Sequence, residues 1–170
     1  MYADDRTCQA LGITIDQVGP GRATAHLKLA DTMVNGHGTA HGGYLFLLAD
    51  AAFAYACNTH GVATVAQSAQ VTFLRPASVG DELAAEAVER SRFGRGGIYD
   101  VTVRRADGTV IAEFRGQSQS LPGQPVPSTG KSTGLRGTQG PQGSQGPQGS
   151  QGSQGSQGSQ GSRGSQDKER

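Results

Sequence analysis

One carboxylate, Asp50, stands inside the most apolar stretch of the chain, with Phe46, Leu47, Phe53 and Ala54 three and four residues to either side. Helical spacing places those four around the aspartate on its own face. Burying a carboxylate in such company costs roughly several kcal/mol unless it is paired, and its pKa rises instead. Such a residue is either locked to a partner or kept for general-base or nucleophilic work. Eight residues earlier, where the same helix should begin, lies His41-Gly42-Gly43. N–H groups at a helix N-terminus lack intrahelical acceptors and carry the positive end of the dipole, and glycine lets a ligand atom approach them closely. An N–H so placed can donate to a developing oxyanion, an effect worth roughly 3–4 kcal/mol per donor. The alternative is an ordinary tight turn into a helix. The pair lacks the glycine and lysine spacing that cradles nucleotide phosphates.

Eight residues of helix rise about 12 Å, too far for Gly42 and Asp50 of one chain to reach the same carbonyl. If both act on one substrate, Asp50 comes from a neighbouring subunit across a two-fold axis. The remaining candidates are weaker. His37 and His41 have a metal-like spacing, but Gly36 and Gly38 argue against a helix there and no glutamate follows His37, so no metal is expected. His26 and His60 read as solvated. Cys57, on the apolar helix, reads as a small buried hydrophobe, and Ser68 and Ser91 lack a nucleophile elbow.

The elements that must hold these residues can be read from punctuation and period. Leu11 to Val18 and Arg22 to Leu29 alternate around Gly19-Pro20-Gly21, a hairpin. Asn35 to Gly43 is a glycine-rich loop. Tyr44 to Asn58 contains no Gly or Pro and is rich in Ala and Leu, which predicts a helix of about four turns ended by Gly61. Strands follow over Ala63 to Leu74, Asp81 to Phe93, Gly97 to Arg105 and Val110 to Ser120, with Asp107-Gly108 as a hairpin turn. Short links between strands predict an antiparallel sheet. A helix apolar nearly all round must be buried on most sides, so the fold class is α+β, one sheet of about five or six strands wrapped around one central helix. The outer and edge surfaces of such a sheet call for a second copy.

Composition sets the outer limits. The 170 residues carry 15 basic and 14 acidic side chains, which argues against a nucleic-acid footprint. The 34% hydrophobic content hides a split. Residues 1–121 read as one domain with a real core and a net charge of −2; residues 122–170 hold 13 of the 27 glycines and 5 of the 7 prolines. In that tail glycine recurs every third residue from Gly134 to Gly164, mostly as Gly-X-Gln. The period is collagen-like, but with so few prolines the composition predicts a disordered tail. Two cysteines make no disulfide framework, and neither a signal peptide nor a bilayer-spanning run is evident. A soluble cytoplasmic protein is expected.

The run Asn35-Gly-His-Gly-Thr-Ala-His41-Gly42-Gly43, continuing through Ala49-Asp50 and Phe53-Ala-Tyr55-Ala-Cys57-Asn58, resembles the signature of hotdog-fold acyl-CoA thioesterases of the phenylacetate-degradation (PaaI) type. Phe73-Leu74-Arg75-Pro76, Gly80-Asp81 and Gly97-Ile98-Tyr99-Asp100-Val101 resemble that family in the same order, over about Leu11 to Gln119. The tail has no counterpart. The resemblance implies a hotdog fold paired into dimers and stacked into homotetramers. It also implies hydrolysis of an aryl-acetyl (phenylacetyl or hydroxyphenylacetyl) CoA ester, with no cofactor beyond the coenzyme A of the substrate. Gly42 matches the glycine whose N–H polarises the thioester carbonyl, and Asp50 the carboxylate that activates water or attacks directly. Asn35 matches the amide that positions acyl group or water, and His41 the histidine that holds the loop. Gly43, Arg75, Arg92 and Arg95 are candidates for substrate binding, the arginines because a guanidinium fork suits the phosphates of coenzyme A. The rival readings are a hotdog enoyl-CoA hydratase or dehydratase, which needs an Asp and a His converging on one substrate, and a non-catalytic acyl-CoA binder.

Overall fold

The computed structural model describes residues 1–126. Six strands form one antiparallel sheet: β1 (Thr14–Gly19), β2 (Arg22–Lys28), β3 (Val62–Phe73), β4 (Glu82–Phe93), β5 (Gly96–Arg105) and β6 (Val110–Pro125), in the spatial order β1-β2-β4-β5-β6-β3. A short helix, α1 (Arg6–Leu11), precedes them, and the long helix α2 (Gly42–Cys57) runs between β2 and β3. The sheet wraps α2, as in the hotdog fold that the resemblance implies.

The central helix is seated by two kinds of wall. Strands β2 and β4 present alanines in register, Ala23 opposite Ala87 and Ala25 opposite Ala85, all buried. Strands β5 and β6 present Tyr99, Val101, Val103 and Phe114 instead. Against these lie Leu45, Leu48, Ala49, Ala52, Phe53 and Ala56 of α2. Small residues on one side let the helix backbone come close, and the bulk on the other fills the remaining gap at interior packing density. Phe53 stacks at a tilt on Tyr99 and Phe114, with ring centroids 5.4 and 5.8 Å away. It fits because Gly116 has no side chain: a Cβ there would meet the Phe53 ring at 2.9 Å. Gly116→Ala is therefore expected to cost about 1–3 kcal/mol of stability, as overpacking does, seen as a lower urea midpoint with an unchanged slope.

Three features differ from the sequence reading. Leu11 closes helix α1 instead of opening a strand: Asp5 caps the helix by accepting the Cys8 N–H at 2.9 Å, and Gly12 ends it in the left-handed region at φ 70°. Strand β6 runs to Pro125, past the expected boundary at Leu121. Its pairing with β5 stops at Gln119, so Pro122 and Pro125 lie where the strand overhangs and one side needs no ladder donor. The helix begins at Gly42, two residues before Tyr44, because His41 caps it. The expected Gly-X-Gln tail lies outside the described residues.

Candidate active site

The loop before α2 is built around Asn35. Its backbone N–H donates to the Thr39 carbonyl (2.8 Å), and a bridge between Val34 and Ala40 closes the base. Its side-chain Oδ1 accepts from the backbone N–H groups of His37 (2.9 Å) and Thr39 (3.3 Å), while Nδ2 donates to Thr39 Oγ1 at 3.1 Å. One Nδ2 hydrogen is left over. The loop is moored by the N–H groups of Ala40 and His41, which donate to the carbonyls of Ala77 and Met33, each at 2.8 Å. Its conformation is thus set before any substrate arrives.

His41 ends the loop in extended backbone (φ −65°, ψ 129°), and its Nδ1 accepts the Gly43 N–H at 3.0 Å. Tyr44 N–H donates to the His41 carbonyl. Among the first N–H groups of α2 this leaves the Gly42 N–H without an acceptor among the described residues. The two glycines therefore divide their work: Gly42 offers a donor, and Gly43 commits its own to the cap. Gly43, a candidate for substrate binding, thus has its own N–H engaged by the His41 ring.

Gly42 opens onto a cleft of about 430 Å³ shared with Asn35, Leu45, Phe73, Leu74 and Arg75. A Cβ at Gly42 would sit 2.9 Å from the tip of the Phe73 ring, so the bare backbone lets that ring form a wall. Arg75 donates from Nη1 to the Val110 carbonyl at 3.0 Å, which holds its guanidinium at the rim. Asn35, Gly42 and Arg75 are therefore brought together.

Asp50 is not part of that cleft. It lies two turns along α2, half-buried, between the partly buried side chains of Phe46, Leu47 and Ala54. Its carboxylate makes no hydrogen bond or ion pair with any described residue, and burial raises its pKa. Beside this stripe, the sheet ends in the edge strand β3, whose Val65 and Phe73 are 46% and 51% exposed, as is Leu74 just after it at 48%. Asp50 is thus an unpartnered carboxylate in an apolar surface stripe next to an unpaired strand edge.

Arg92 and Arg95 belong to the β4–β5 hairpin, at the far end of α2. With His60, Tyr99 and Ser118, Arg92 lines a crevice large enough for about one water; neither arginine reaches the Gly42 cleft of its own chain. His60 is not simply solvated there. Its Nε2 lies 2.6 Å from Glu89 Oε2, which also accepts from the Tyr99 hydroxyl at 2.7 Å. Glu89 pairs in register with Tyr99, on the same inner face, just before a bulge at Arg90. His26 pairs with Asp16 on the surface at 3.1 Å. Cys57, its thiol pushed up to about 12 by burial, is an inert core residue, as expected. No group of three or more metal-ligating side chains occurs among the described residues.

Burial works against the charge on Glu89, but the hydrogen bonds from Tyr99 and His60 outweigh it and hold its carboxyl below the usual glutamate range. A lowered carboxyl pKa contributes stability that is present above the ordinary range and is lost as pH falls through the lowered value. Glu89→Gln is expected to flatten the acid limb of a plot of Tm against pH. An acid limb identical to that of the wild type would refute the assignment.

A model of the thioesterase superfamily matches residues 37–112, from the loop to the start of β6. The acyl-coenzyme A thioesterase PaaI of Escherichia coli (strain K12) is 42% identical over 123 residues, spanning 72% of this chain and 88% of that protein. The chain belongs to the thioesterase superfamily. The solved structure of E. coli PaaI, from the phenylacetic acid degradation operon, superposes on this thioesterase with a TM-score of 0.71 over 73% of this chain and 90% of that one. A mutant of the phenylacetic acid degradation protein PaaI from Thermus thermophilus is 38% identical, with a TM-score of 0.66 over 69% of this chain and 100% of that one. The superfamily match begins inside the Asn35 loop and takes in Gly42, Asp50 and Arg75; Asn35 itself lies just ahead of it.

Proposed function

We propose that the chain is an acyl-CoA thioesterase acting on aryl-acetyl esters, with its active sites at a subunit interface of a homodimer or homotetramer. The observation that carries this reading is the unpaired, half-buried Asp50 carboxylate on the helix whose first N–H is open. The thioester oxygen accepts from the Gly42 N–H. Asp50 of the partner subunit takes a proton from water as the water oxygen attacks the carbonyl carbon. The C–S bond then breaks, and the departing sulfur recovers the proton to give free acid and coenzyme A. A direct attack by the Asp50 carboxylate, through an anhydride that water cleaves, uses the same geometry. Arg75 at the cleft rim suits the phosphates of coenzyme A, and Arg92 and Arg95 are candidates only for a cleft supplied by another subunit. Coenzyme A enters with the substrate and the chemistry calls for no cofactor. A cytoplasmic setting fits the two buried, unpaired thiols, Cys8 and Cys57; no helix among the described residues is long and apolar enough to cross a membrane.

The hydratase alternative needs a histidine facing the same substrate as Asp50, and His41 has its Nδ1 committed to the helix cap. Thiol release from a panel of aryl and aliphatic acyl-CoA esters tests the proposal, with a crotonyl ester included. Rapid release from phenylacetyl-CoA supports it. Hydration of the crotonyl ester without free thiol, or tight binding without turnover, would replace it with one of the rivals.

A further inference from the structure

The connector from β3 to β4, Leu74 to Asp81, crosses the ends of β6 and β5, and its Leu74, Arg75, Pro76 and Ala77 line the Gly42 cleft. It belongs to no strand or helix, so its shape is set by what its backbone groups meet. The N–H groups of Leu74 and Arg75 both donate to the Ile111 carbonyl, at 2.8 and 3.2 Å, and the Ala77 carbonyl accepts from Ala40 of the Asn35 loop. Gly80 and Asp81 pair with Leu29 at 2.8 and 2.9 Å. The Pro76 carbonyl is different. It has no backbone donor among the described residues and accepts from Arg105 Nη2 at 3.1 Å.

Arg105 closes β5 at the end that the connector crosses. Its Nε is buried and stands 3.1 Å from Asp81 Oδ2, an ion pair without a directed hydrogen bond, the two side chains being 30% and 22% exposed. The same Oδ2 accepts the Ser78 N–H at 2.8 Å. One guanidinium thus meets the connector at two points, a carbonyl next to Arg75 and the carboxylate at its far end. Arg75 itself precedes a proline, which restricts its backbone, and its Nη1 is engaged by the Val110 carbonyl. Where its remaining N–H groups point therefore depends on Pro76 staying in place.

We infer that Arg105 is a positioning residue for the coenzyme A end of the substrate: it holds the Pro76 carbonyl and balances the Asp81 charge, so that Arg75 meets the phosphates from a fixed connector with no uncompensated carboxylate in it. The inference rests on the thioesterase reading above and on Arg75 as the phosphate partner. Arg105 touches no reacting atom. Its loss should weaken substrate and transition state alike, which raises KM and leaves kcat in place. The loss should also appear only with a ligand that carries phosphate, since only such a ligand reaches Arg75.

The test compares phenylacetyl-CoA with phenylacetyl-pantetheine, which keeps the thioester and lacks every phosphate, in the wild type, Arg105→Met, Arg75→Met and the double variant. Arg105→Met should raise KM for the CoA ester about tenfold with kcat unchanged, and leave both constants for the pantetheine ester as they are. In the Arg75→Met background the same substitution should add nothing. Asp81→Asn, which keeps an oxygen for the Ser78 N–H, should shift KM for the CoA ester by a smaller factor, and it covers the case in which Arg105→Met does not fold. Equal losses on the two esters, the mark of a residue that only stabilises the fold, overturn the inference. So does an unchanged KM in a folded Arg105→Met, or a full tenfold loss that persists without Arg75. Calorimetric Kd for coenzyme A should rise by the same factor as KM. A wild type that binds coenzyme A but releases no thiol refutes the thioesterase reading alone, and a Kd unmoved by Arg105→Met refutes the inference alone.

Discussion

Asp50→Asn is expected to lower kcat for thioester hydrolysis about a thousandfold and, at the same time, to raise Tm. The amide keeps the shape and removes the charge that both chemical routes need. The charge is also what the fold pays for, since burial holds the Asp50 pKa above the ordinary aspartate range. A raised carboxyl pKa means that the folded state favours the proton more than the unfolded chain does. Stability is then lost as pH climbs from the ordinary range through the raised value. Activity has the opposite sign, because kcat/KM grows as Asp50 ionises. Its acid limb should sit above the usual aspartate range and disappear in the variant. Loss of activity together with a gain in stability identifies a group kept for chemistry. Wild-type turnover in Asp50→Asn would remove the residue from the mechanism.

The second large effect concerns which chain supplies which group. Gly42→Pro removes the N–H proposed to hold the thioester oxygen. Proline is well suited to the first position of a helix, and the extended backbone of His41 accepts a proline after it. The ring would press on Phe73, whose 51% exposure gives it room to turn. A loss of about 10²–10³ in kcat is expected with little change in fold. Mixing then separates two geometries. When Gly42→Pro chains and Asp50→Asn chains are co-assembled, a mixed dimer whose sites draw on both chains contains one intact site. Random pairing should recover about a quarter of wild-type activity. If both groups acted within one chain, mixing would restore nothing.

Much of this arrangement is legible in the residues because the relevant signals are local. The Ala- and Leu-rich run from Tyr44 has no strand-like alternation, Asp107-Gly108 marks its own hairpin, and a charge among Phe46, Leu47 and Phe53 announces itself without a structure. What escaped is short or distant. Helix α1 is six residues long, too brief for a helical period, although Asp5 and Gly12 mark its two ends. The contact of His60 with Glu89 joins residues 29 apart in the chain, a pairing that no local propensity encodes. The division between Gly42 and Gly43 depends on the His41 rotamer, which chooses the N–H it captures. The buried Tyr55 hydroxyl, which has no hydrogen-bond partner among the described residues, is visible only in three dimensions.

The facing alanines of β2 and β4 carry an implication for how this scaffold could diversify. Ala23, Ala25, Ala85 and Ala87 leave the helix no clearance on that side, so added bulk there would shift the axis on which Gly42 and Asp50 both ride. New acyl preferences would have to arise from the opposite flank and the helix ends, where side chains can be exchanged one at a time. A mutagenesis library that leaves those four alanines untouched and randomises Phe46, Leu47 and Phe73 should yield altered substrate profiles at far higher frequency than one spread evenly along the chain.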